Sequence, residues 1–353
     1  MDRIAGRRFP AEWEPHEATW IAWPHNEADW PGKFEAIPWV YAEIVRVLHR
    51  NERVEIVCHD ESVGEGARRC LTAHGVDDSR YRLLTCPTDR GWLRDCAPTG
   101  TLIDGALEWC NWEFNGWAKY DNFSLDTRVG EFIAGCSRTP RHVPLRPDGA
   151  GRMVLEGGGI ETDGKGTLLV TEEWLLSGVQ DRNKGLTRSD YEKVFRDELG
   201  ISTTIWLGEG CVGDDTHGHV DDIARFVAPA TLVLAYESDP ADENHRRSRD
   251  NLARLAGATD ARRRPLRVVT LPFPRAVTMD AQRLPASYAN FYIANGVVLV
   301  PTFNDENDRA ALDTLAALMP AHTIVGIHAV DLVWGLGTLH CLTQQQPVAP
   351  GTS

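Results

Sequence analysis

The chain has 353 residues, with 37 Lys and Arg against 51 Asp and Glu, which gives a formal net charge of −14 at pH 7. This charge excludes a broad phosphate-binding face as the main function, because polyanions bind to clustered cationic side chains, whereas it suits a small cationic ligand. Hydrophobic residues make up 42% and charged residues 25% of the chain, so a large core is expected and extensive disorder is not.

Neither a targeting signal nor a membrane span is predicted. Residues 1–10 contain no apolar core and therefore no signal peptide. The longest apolar runs, such as residues 296–300, have the length of a strand, far below the roughly 20 residues that cross a bilayer. The eight cysteines are scattered without a Cys-x-x-Cys pair, as expected for reduced thiols. We therefore expect a cytoplasmic protein that associates with neither membranes nor nucleic acid.

Short β-type runs recur along the chain and are separated by helical patterns. Strands are predicted at residues 19–23, 53–58, 166–171, 203–207, 232–235, 266–271, 297–300 and 323–327. Helices are predicted at residues 38–50, 189–199, 242–256 and 307–319, the second beginning with a capping box from Ser189 to Glu192 and ending at Gly200. This alternation predicts the α/β or α+β class. Because no stretch resembles a linker, one domain is expected over residues 1–347, followed by a flexible tail at 348–353.

Functional residue types are concentrated in five segments, at residues 92–98, 111–121, 154–160, 214–222 and 335–347. In the first, Asp95 follows Arg94, a pair that by itself usually marks a turn with a surface ion pair. In the second, aromatic, amide and charged residues alternate around Asn115. This second segment is either a polar loop anchored by Trp rings or a loop that faces a flat cation.

Three glycines at residues 157–159 follow a short apolar run. They lack the spacing of phosphate-binding loops and of dinucleotide-binding motifs. We therefore expect them to let the backbone approach a ligand or another strand closely, with Glu156 directed into the opening.

Residues 214–222 contain two histidines and four aspartates. In isolation they suit a divalent metal, a metal-free site with a histidine as acid/base and an aspartate as cation anchor, or a solvated acidic loop. On a strand, His217, His219 and Asp221 would share one face and Asp222 would point away.

Cys341 differs from the other seven cysteines, because glycines precede it and hydrogen-bonding residues follow it, as at a reactive thiol. The other cysteines are interpreted as small core residues. Spacing alone also leaves a buried structural thiol open at Cys341.

In this order, the five segments resemble those of the agmatine deiminase family, which includes bacterial peptidylarginine deiminases of the Porphyromonas type. The resemblance begins at residues 9–20, continues at 285–292 and 301–303, and ends with the segment around Cys341. It implies an α/β propeller of five ββαβ-like units around a pseudo-fivefold axis, with the active site in the central channel. It also implies a reaction that needs neither a metal nor another cofactor.

The family's activity is hydrolysis of a guanidinium to a ureido group with release of ammonia. The resemblance places its catalytic residues at Cys341, His219, Glu156, Asp95 and Asp221, and further substrate contacts are expected at Trp92, Asn115 and Gly337. In the implied cycle, the Cys341 thiolate adds to the guanidinium carbon and His219 protonates the departing ammonia. A covalent S-alkylthiouronium remains, and water activated by His219 hydrolyses it.

Several positions depart from the usual family pattern. They are expected to change the pocket around the end of the substrate that lies away from the guanidinium. They are Leu336 and Thr338 before the nucleophile, His217 and Asp222 in place of asparagines, Trp174 in place of a cysteine, and residues 29–34. Agmatine is the expected substrate, with an arginine side chain of a peptide as the alternative. Free arginine is expected to be poor, because the motifs offer no cationic partner for its α-carboxylate.

Two other classes are considered. A manganese ureohydrolase, which would release urea, needs several separated Asp/His motifs, and only the segment around His219 is remotely suitable. A non-catalytic guanidine binder is disfavoured because the complete set of five catalytic positions is present. The oligomeric state is left open between a homodimer and a homotetramer.

Overall fold

The computed structural model describes residues 6–349. Of the predicted tail, residues 350–353 lie outside the described part, whereas the backbone N–H of Val348 donates to the carbonyl of Pro15 at 2.9 Å. Within residues 6–349, none of the helices combines the length and apolar character that spanning a membrane requires.

All the predicted strands and helices are present, with further short strands and helices added. The strands are β1 (Arg7–Arg8), β2 (His16–Ala22), β3 (Arg53–Cys58), β4 (Tyr81–Thr85), β5 (Thr99–Ile103), β6 (Ala106–Cys110), β7 (Arg141–His142), β8 (Glu161–Thr162), β9 (Thr167–Thr171), β10 (Thr203–Leu207), β11 (Ala224–Ala228), β12 (Thr231–Tyr236), β13 (Arg267–Pro272), β14 (Thr278–Met279), β15 (Gln282–Arg283), β16 (Tyr292–Ala294), β17 (Val297–Thr302), β18 (Thr323–His328) and β19 (Thr343–Pro347). The helices are α1 (Ile37–Leu48), α2 (Glu61–Ala73), α3 (Leu93–Cys96), α4 (Val129–Ser137), α5 (Glu172–Leu176), α6 (Arg188–Leu199), α7 (Glu243–Leu255), α8 (Asp308–Leu318) and α9 (Leu339–Leu342).

The sheets repeat one pairing order. An antiparallel pair is followed by a parallel strand in β5-β6-β7, β8-β9-β10, β11-β12-β13, β16-β17-β18 and β19-β2-β3. Helices α4, α6, α7, α8 and α1, respectively, lie in the connections between the parallel strands, which need a crossover of this kind. The result is a mixed α/β fold. No sheet closes on itself within the described residues, so these pairings leave the predicted fivefold ring as a prediction.

Helix α6 shows how local sequence sets an element's bounds. Its capping box begins at Thr187, two residues before the predicted start at Ser189. The Thr187 side chain accepts a hydrogen bond from the Asp190 N–H, and the Asp190 carboxylate accepts one from the Thr187 N–H. The helix ends at Gly200 as predicted, with φ 71°, a left-handed conformation that glycine adopts without strain.

The two ends of the described chain meet in one sheet. Strand β19 pairs antiparallel with β2, which pairs in parallel with β3. Helix α9, which carries Cys341, immediately precedes β19, and its neighbours include α3, which carries Asp95. This pairing brings residues from the last and first thirds of the chain together.

Candidate active site

Four short segments converge around the predicted catalytic residues. They are α3, the 3-10 turn Gly157–Gly159, the 3-10 turn Val220–Asp222, and α9. The five predicted residues on or beside them are all buried, and their exposed fractions are 5% for Asp95, 0% for Glu156, 1% for His219, 0% for Asp221 and 6% for Cys341. Residues that are distant in sequence therefore form one buried cluster.

Gly158 lies at the centre of this cluster. A Cβ atom there would fall 2.6 Å from His219 Nδ1, 2.9 Å from Asp95 Oδ1 and 3.1 Å from Asp221 Oδ2. The Gly158 backbone N–H also donates to Asp95 Oδ1 at 3.0 Å. The backbone at Gly158 therefore approaches these side chains so closely that no side chain fits at this position.

Asp95 and Glu156 are buried carboxyl groups whose pKa values shift in opposite directions. Burial raises the pKa of Asp95 to about 6, a rise that nearby His219 opposes and Glu156 adds to. Burial also opposes ionisation of Glu156, but Arg182 and His219 outweigh it and lower the pKa of Glu156 to about 2. Arg182 Nε donates to Glu156 Oε1 at 3.0 Å and Trp174 Nε1 to Glu156 Oε2 at 2.9 Å. Glu156 is therefore ionised at neutral pH, and Trp174 is one of its hydrogen-bond partners.

The His219 imidazole lies between carboxylates without hydrogen-bonding to them. Its Nδ1 is 3.8 Å from Asp95 Oδ1 and its Nε2 is 3.8 Å from Glu156 Oε2. Neither ring nitrogen has a hydrogen-bond partner among residues 6–349. Burial disfavours the imidazolium, but Asp95 and Glu156 outweigh burial and raise the pKa of His219 to about 9. A protonated ring with free N–H groups suits a general acid.

Cys341 has anionic neighbours. Its Sγ lies 3.6 Å from Asp221 Oδ2, and Asn290 Nδ2 donates to it at 3.1 Å. Burial, together with the carboxyl groups of Asp221 and Asp222, holds the pKa of Cys341 well above its ordinary range. The sulfur is therefore a thiol at neutral pH until positive charge enters the site.

The segment 214–222 is a turn, so the strand arrangement considered for it, with Asp222 pointing away, is not formed. Asp214 accepts the backbone N–H groups of Thr216, Gly218 and His219, which closes the loop. Asp222 does not point away: it is 3% exposed and follows Asp221 in the 3-10 turn. Strand alternation does not apply inside such a turn.

His217 lies apart from the cluster. It has φ 64°, and its Nε2 is 3.0 Å from the Ser177 hydroxyl. A metal site built on both His217 and His219 is therefore not formed. One group could still hold a metal, since donor atoms of Asp221, Asp222 and Cys341 lie within 4.8 Å of one another. A metal-free site therefore stays a prediction.

A narrow cavity opens onto Cys341. Its lining residues are Arg90, Trp92, Asp95, Trp117, Asp215, Thr216, Gly335, Leu336, Gly337 and Cys341. Trp92 and Gly337 thus lie where substrate contacts were expected. Asn115 is not among the lining residues, because its Oδ1 accepts the Ala118 N–H at 2.9 Å. That bond caps the turn from which Trp117 donates to Asp95 Oδ2 at 2.8 Å.

Arg90 is a cavity residue that the sequence analysis missed. Its guanidinium lies 4.0 Å from the centre of the Tyr120 ring, and its Nη2 is 2.7 Å from Asp29 Oδ1. A cationic side chain therefore lines the cavity, so the stated reason for rejecting free arginine does not hold. Arg90 lies two residues before Trp92, the start of the first functional segment, and this proximity was the available signal.

A family model described as Porphyromonas-type peptidyl-arginine deiminase matches residues 8–347. The chain belongs to this family. An agmatine deiminase of Ectopseudomonas mendocina is 34% identical to it, and the match covers 99% of this chain and 98% of that protein. An agmatine deiminase of Pseudomonas aeruginosa is also 34% identical, with 98% of this chain and 96% of that protein covered. These relatives are deiminases, hydrolases that act on C–N bonds.

Solved structures of agmatine deiminases have a similar fold. The Enterococcus faecalis protein, at 29% identity, superimposes with a TM-score of 0.89 over 98% of this chain and 96% of that one. A Cys-to-Ser variant of the C. jejuni protein, solved with substrate bound, is 26% identical with a TM-score of 0.85, and 96% of each chain is covered. The mixed α/β fold of this deiminase-family chain is thus shared with agmatine deiminases.

Behind the site, this family member holds Asp221 in a buried ionic network. His340 Nδ1 is 2.7 Å from Asp221 Oδ2, and its Nε2 is 2.8 Å from Glu12 Oε2. Arg225 and Arg94 also contact Glu12. Burial opposes ionisation of Asp221, but His340 outweighs it and lowers the pKa of Asp221. The sequence analysis gave no role to His340, although it directly precedes Cys341.

Proposed function

We propose that this protein hydrolyses the guanidinium group of agmatine, forming N-carbamoylputrescine and ammonia. The observation that carries the proposal is the buried cluster of a thiol, an imidazole and carboxyl groups, which a cavity reaches at Asp95 and Cys341. The substrate is supported by the names of the relatives at 34% identity. The buried carboxyl groups also suit a cation better than a neutral ligand.

Unpaired polar atoms support binding of a guanidinium. Within the described chain, Asp221 Oδ1 and both ring nitrogens of His219 are buried without hydrogen-bond partners. A guanidinium is planar with N–H groups in fixed directions, so paired carboxylates bind it and fix its plane. We propose that Asp95, Asp221 and Glu156 bind it, with the central carbon facing Cys341.

The proposed reaction begins when the bound cation offsets the negative field around Cys341 and allows the thiol to lose its proton to solvent. The thiolate adds to the guanidinium carbon, and His219 donates its proton to the nitrogen that leaves as ammonia. The product of this half is an S-alkylthiouronium on Cys341. Neutral His219 then takes a proton from water, whose oxygen attacks the same carbon. The C–S bond breaks to return the thiolate, and the added hydroxyl group loses its proton to solvent as the ureido carbonyl forms.

We further propose that the five repeated sheets surround this cluster as a pseudo-fivefold propeller. Two observations support the arrangement: the ββαβ order recurs in each sheet, and the turns Gly157–Gly159 and Val220–Asp222 meet α3 and α9 at one place. A central channel would explain why residues from the whole chain contribute.

Deimination of an arginine side chain in a peptide is the second candidate. Arg90 favours it, because a guanidinium lining the cavity opposes a substrate with a second positive charge. Asp215 favours agmatine, because its carboxylate pairs with Lys119 and accepts from the Tyr120 hydroxyl at 2.6 Å, so it can accept an ammonium. The distal ammonium of agmatine would take the place of Lys119.

Product analysis separates these substrates and tests metal dependence. Agmatine, free arginine and an arginine peptide are incubated separately with the enzyme in EDTA. We expect agmatine to react fastest, with one ammonia and no urea released per turnover. Urea release, or activity lost in EDTA and restored by manganese, would favour a ureohydrolase. Preferred turnover of the peptide would favour the second candidate.

The pH dependence of kcat/KM follows from two groups of the free enzyme. Asp95 must be ionised to bind a guanidinium, so kcat/KM is expected to rise as pH increases through about 6. His219 must be protonated to act as the acid, so kcat/KM is expected to fall as pH increases beyond about 9. Initial rates at low agmatine concentration measure both limbs. A profile that is level through both regions would contradict these roles.

A further inference from the structure

Asn290 is a buried amide that contacts the candidate nucleophile. It lies between β15 and β16, in the segment 285–292 to which the sequence analysis assigned no role, and its exposed fraction is 0%. Its Nδ2 donates to Cys341 Sγ at 3.1 Å and to Asp222 Oδ1 at 2.9 Å. Both hydrogens of the amide are thus directed at groups of the active site.

The orientation of this amide is set from its other side. Asn290 Oδ1 accepts from the Thr338 hydroxyl at 2.8 Å and from the backbone N–H groups of His340 at 3.0 Å and Cys341 at 3.4 Å. The two backbone groups are obligatory donors, so a reversed amide would place NH₂ against N–H. The NH₂ group must therefore face the sulfur.

We propose that Asn290 is a further catalytic residue, which stabilises the Cys341 thiolate by donating a hydrogen bond to its sulfur. This role rests on the proposed function of Cys341 as the nucleophile. The thiolate forms at the start of the cycle and is released again when the thiouronium is hydrolysed. The Asn290 N–H is in place at both stages.

A neutral donor suits this position for an electrostatic reason. The sulfur is next to Asp221 and Asp222, whose negative field opposes its ionisation. A lysine or arginine donor would relieve that field but would also compete with the substrate cation for the same carboxylates. An amide N–H stabilises the thiolate through a charge-assisted hydrogen bond and leaves the carboxylates available.

The test measures thiol ionisation without any substrate. The rate of Cys341 carbamidomethylation by iodoacetamide, a neutral reagent, is followed against pH by mass spectrometry of the Cys341 peptide. Asn290→Ala removes the donor. Asn290→Asp keeps an oxygen acceptor for the backbone of residues 340 and 341, removes the amide N–H, and adds a carboxyl group whose charge would also oppose ionisation of the thiol. Both variants are expected to raise the thiol pKa and to slow modification at a fixed pH by about tenfold or more, the size of a hydrogen bond to a charged group.

Asn251→Ala is the matched control. Asn251 is also buried, and its amide bonds to backbone groups of Gly208 and Glu209, with none to the cavity residues. The control is expected to keep the wild-type thiol titration even where it lowers Tm. Wild-type titration of Cys341 in folded Asn290→Asp would overturn the proposal, as would an equal shift in the control.

The outcome for Asn290 can be separated from the proposed substrate. Agmatine turnover with an unshifted thiol titration in the Asn290 variants would refute the role of Asn290 and leave the proposed function intact. A shifted titration in a protein that does not act on agmatine would refute the substrate and retain the hydrogen bond to sulfur.

Discussion

Cys341→Ser is expected to remain folded and to be essentially inactive. A hydroxyl has a far higher pKa than a thiol, so an environment that already disfavours the thiolate cannot ionise serine. Serine is nearly the same size as cysteine, and Cys341 is only 6% exposed, so the packing around it is kept. The circular dichroism spectrum and Tm should therefore stay close to those of the wild type. Ammonia release measures the loss. Near-normal turnover by the variant would exclude Cys341 as the nucleophile.

Selective labelling distinguishes Cys341 from the seven other thiols. A haloacetamidine carries an amidinium that the carboxylates around Cys341 can bind, as they would bind the substrate. The more exposed cysteines, Cys70 and Cys136, provide an internal control, because neither lines this cavity. We expect Cys341 to react first and agmatine to protect it. Faster labelling of Cys70 or Cys136 would indicate that exposure alone governs reactivity.

Asp95→Asn and Asp221→Asn are each expected to lower kcat/KM by roughly 100-fold or more. Each change replaces a charged contact to the guanidinium with an amide, and losing such a contact costs about 2–5 kcal/mol. Steady-state kinetics with agmatine measures the effect. Asp250→Asn is the matched control, because Asp250 is half-exposed, pairs with Arg254 and does not line the cavity. A control effect equal to that of Asp221→Asn would refute a specific role for the carboxylates.

The sequence-based interpretation of the neighbouring aspartates changes. Asp214 and Asp222 flank His219 and Asp221 in the sequence, a position that by itself predicts a small cost for replacing either of them. Asp214 instead accepts the His219 N–H, and Asp222 is buried beside Cys341, where burial and Asp221 raise its pKa well above the usual range. Neither residue is a neutral control, so loss of activity on changing either would not argue against Asp221.

Regular strands were predictable because their residues are locally distinctive. The runs at Arg53–Cys58 and Thr203–Leu207 are rich in β-branched and apolar residues, and both strands have the predicted bounds. The five site residues came from the family resemblance. Spacing alone left Cys341 and Asp95 undecided, because a buried thiol and an Asp-Arg pair are common outside active sites.

The remaining features depend on tertiary contacts that leave no local pattern. Arg182 reaches Glu156 across 26 positions, and Asn290 reaches Cys341 across 51. The segment around His219 was misjudged because alternation of polar residues favours a strand only when the backbone is extended, and Asp214 closes it into a turn. Sequence periodicity carries no information about a side chain that closes a turn by accepting backbone hydrogen bonds.

The most direct test of the account is to trap the covalent intermediate. Wild-type enzyme is acid-quenched during turnover of agmatine, digested, and the peptide that contains Cys341 is weighed by mass spectrometry. The account predicts an adduct equal in mass to agmatine less one ammonia, on Cys341, that disappears when substrate is exhausted and is absent from Cys341→Ser. An unmodified Cys341 peptide throughout rapid turnover, or the same adduct on another cysteine, would contradict it.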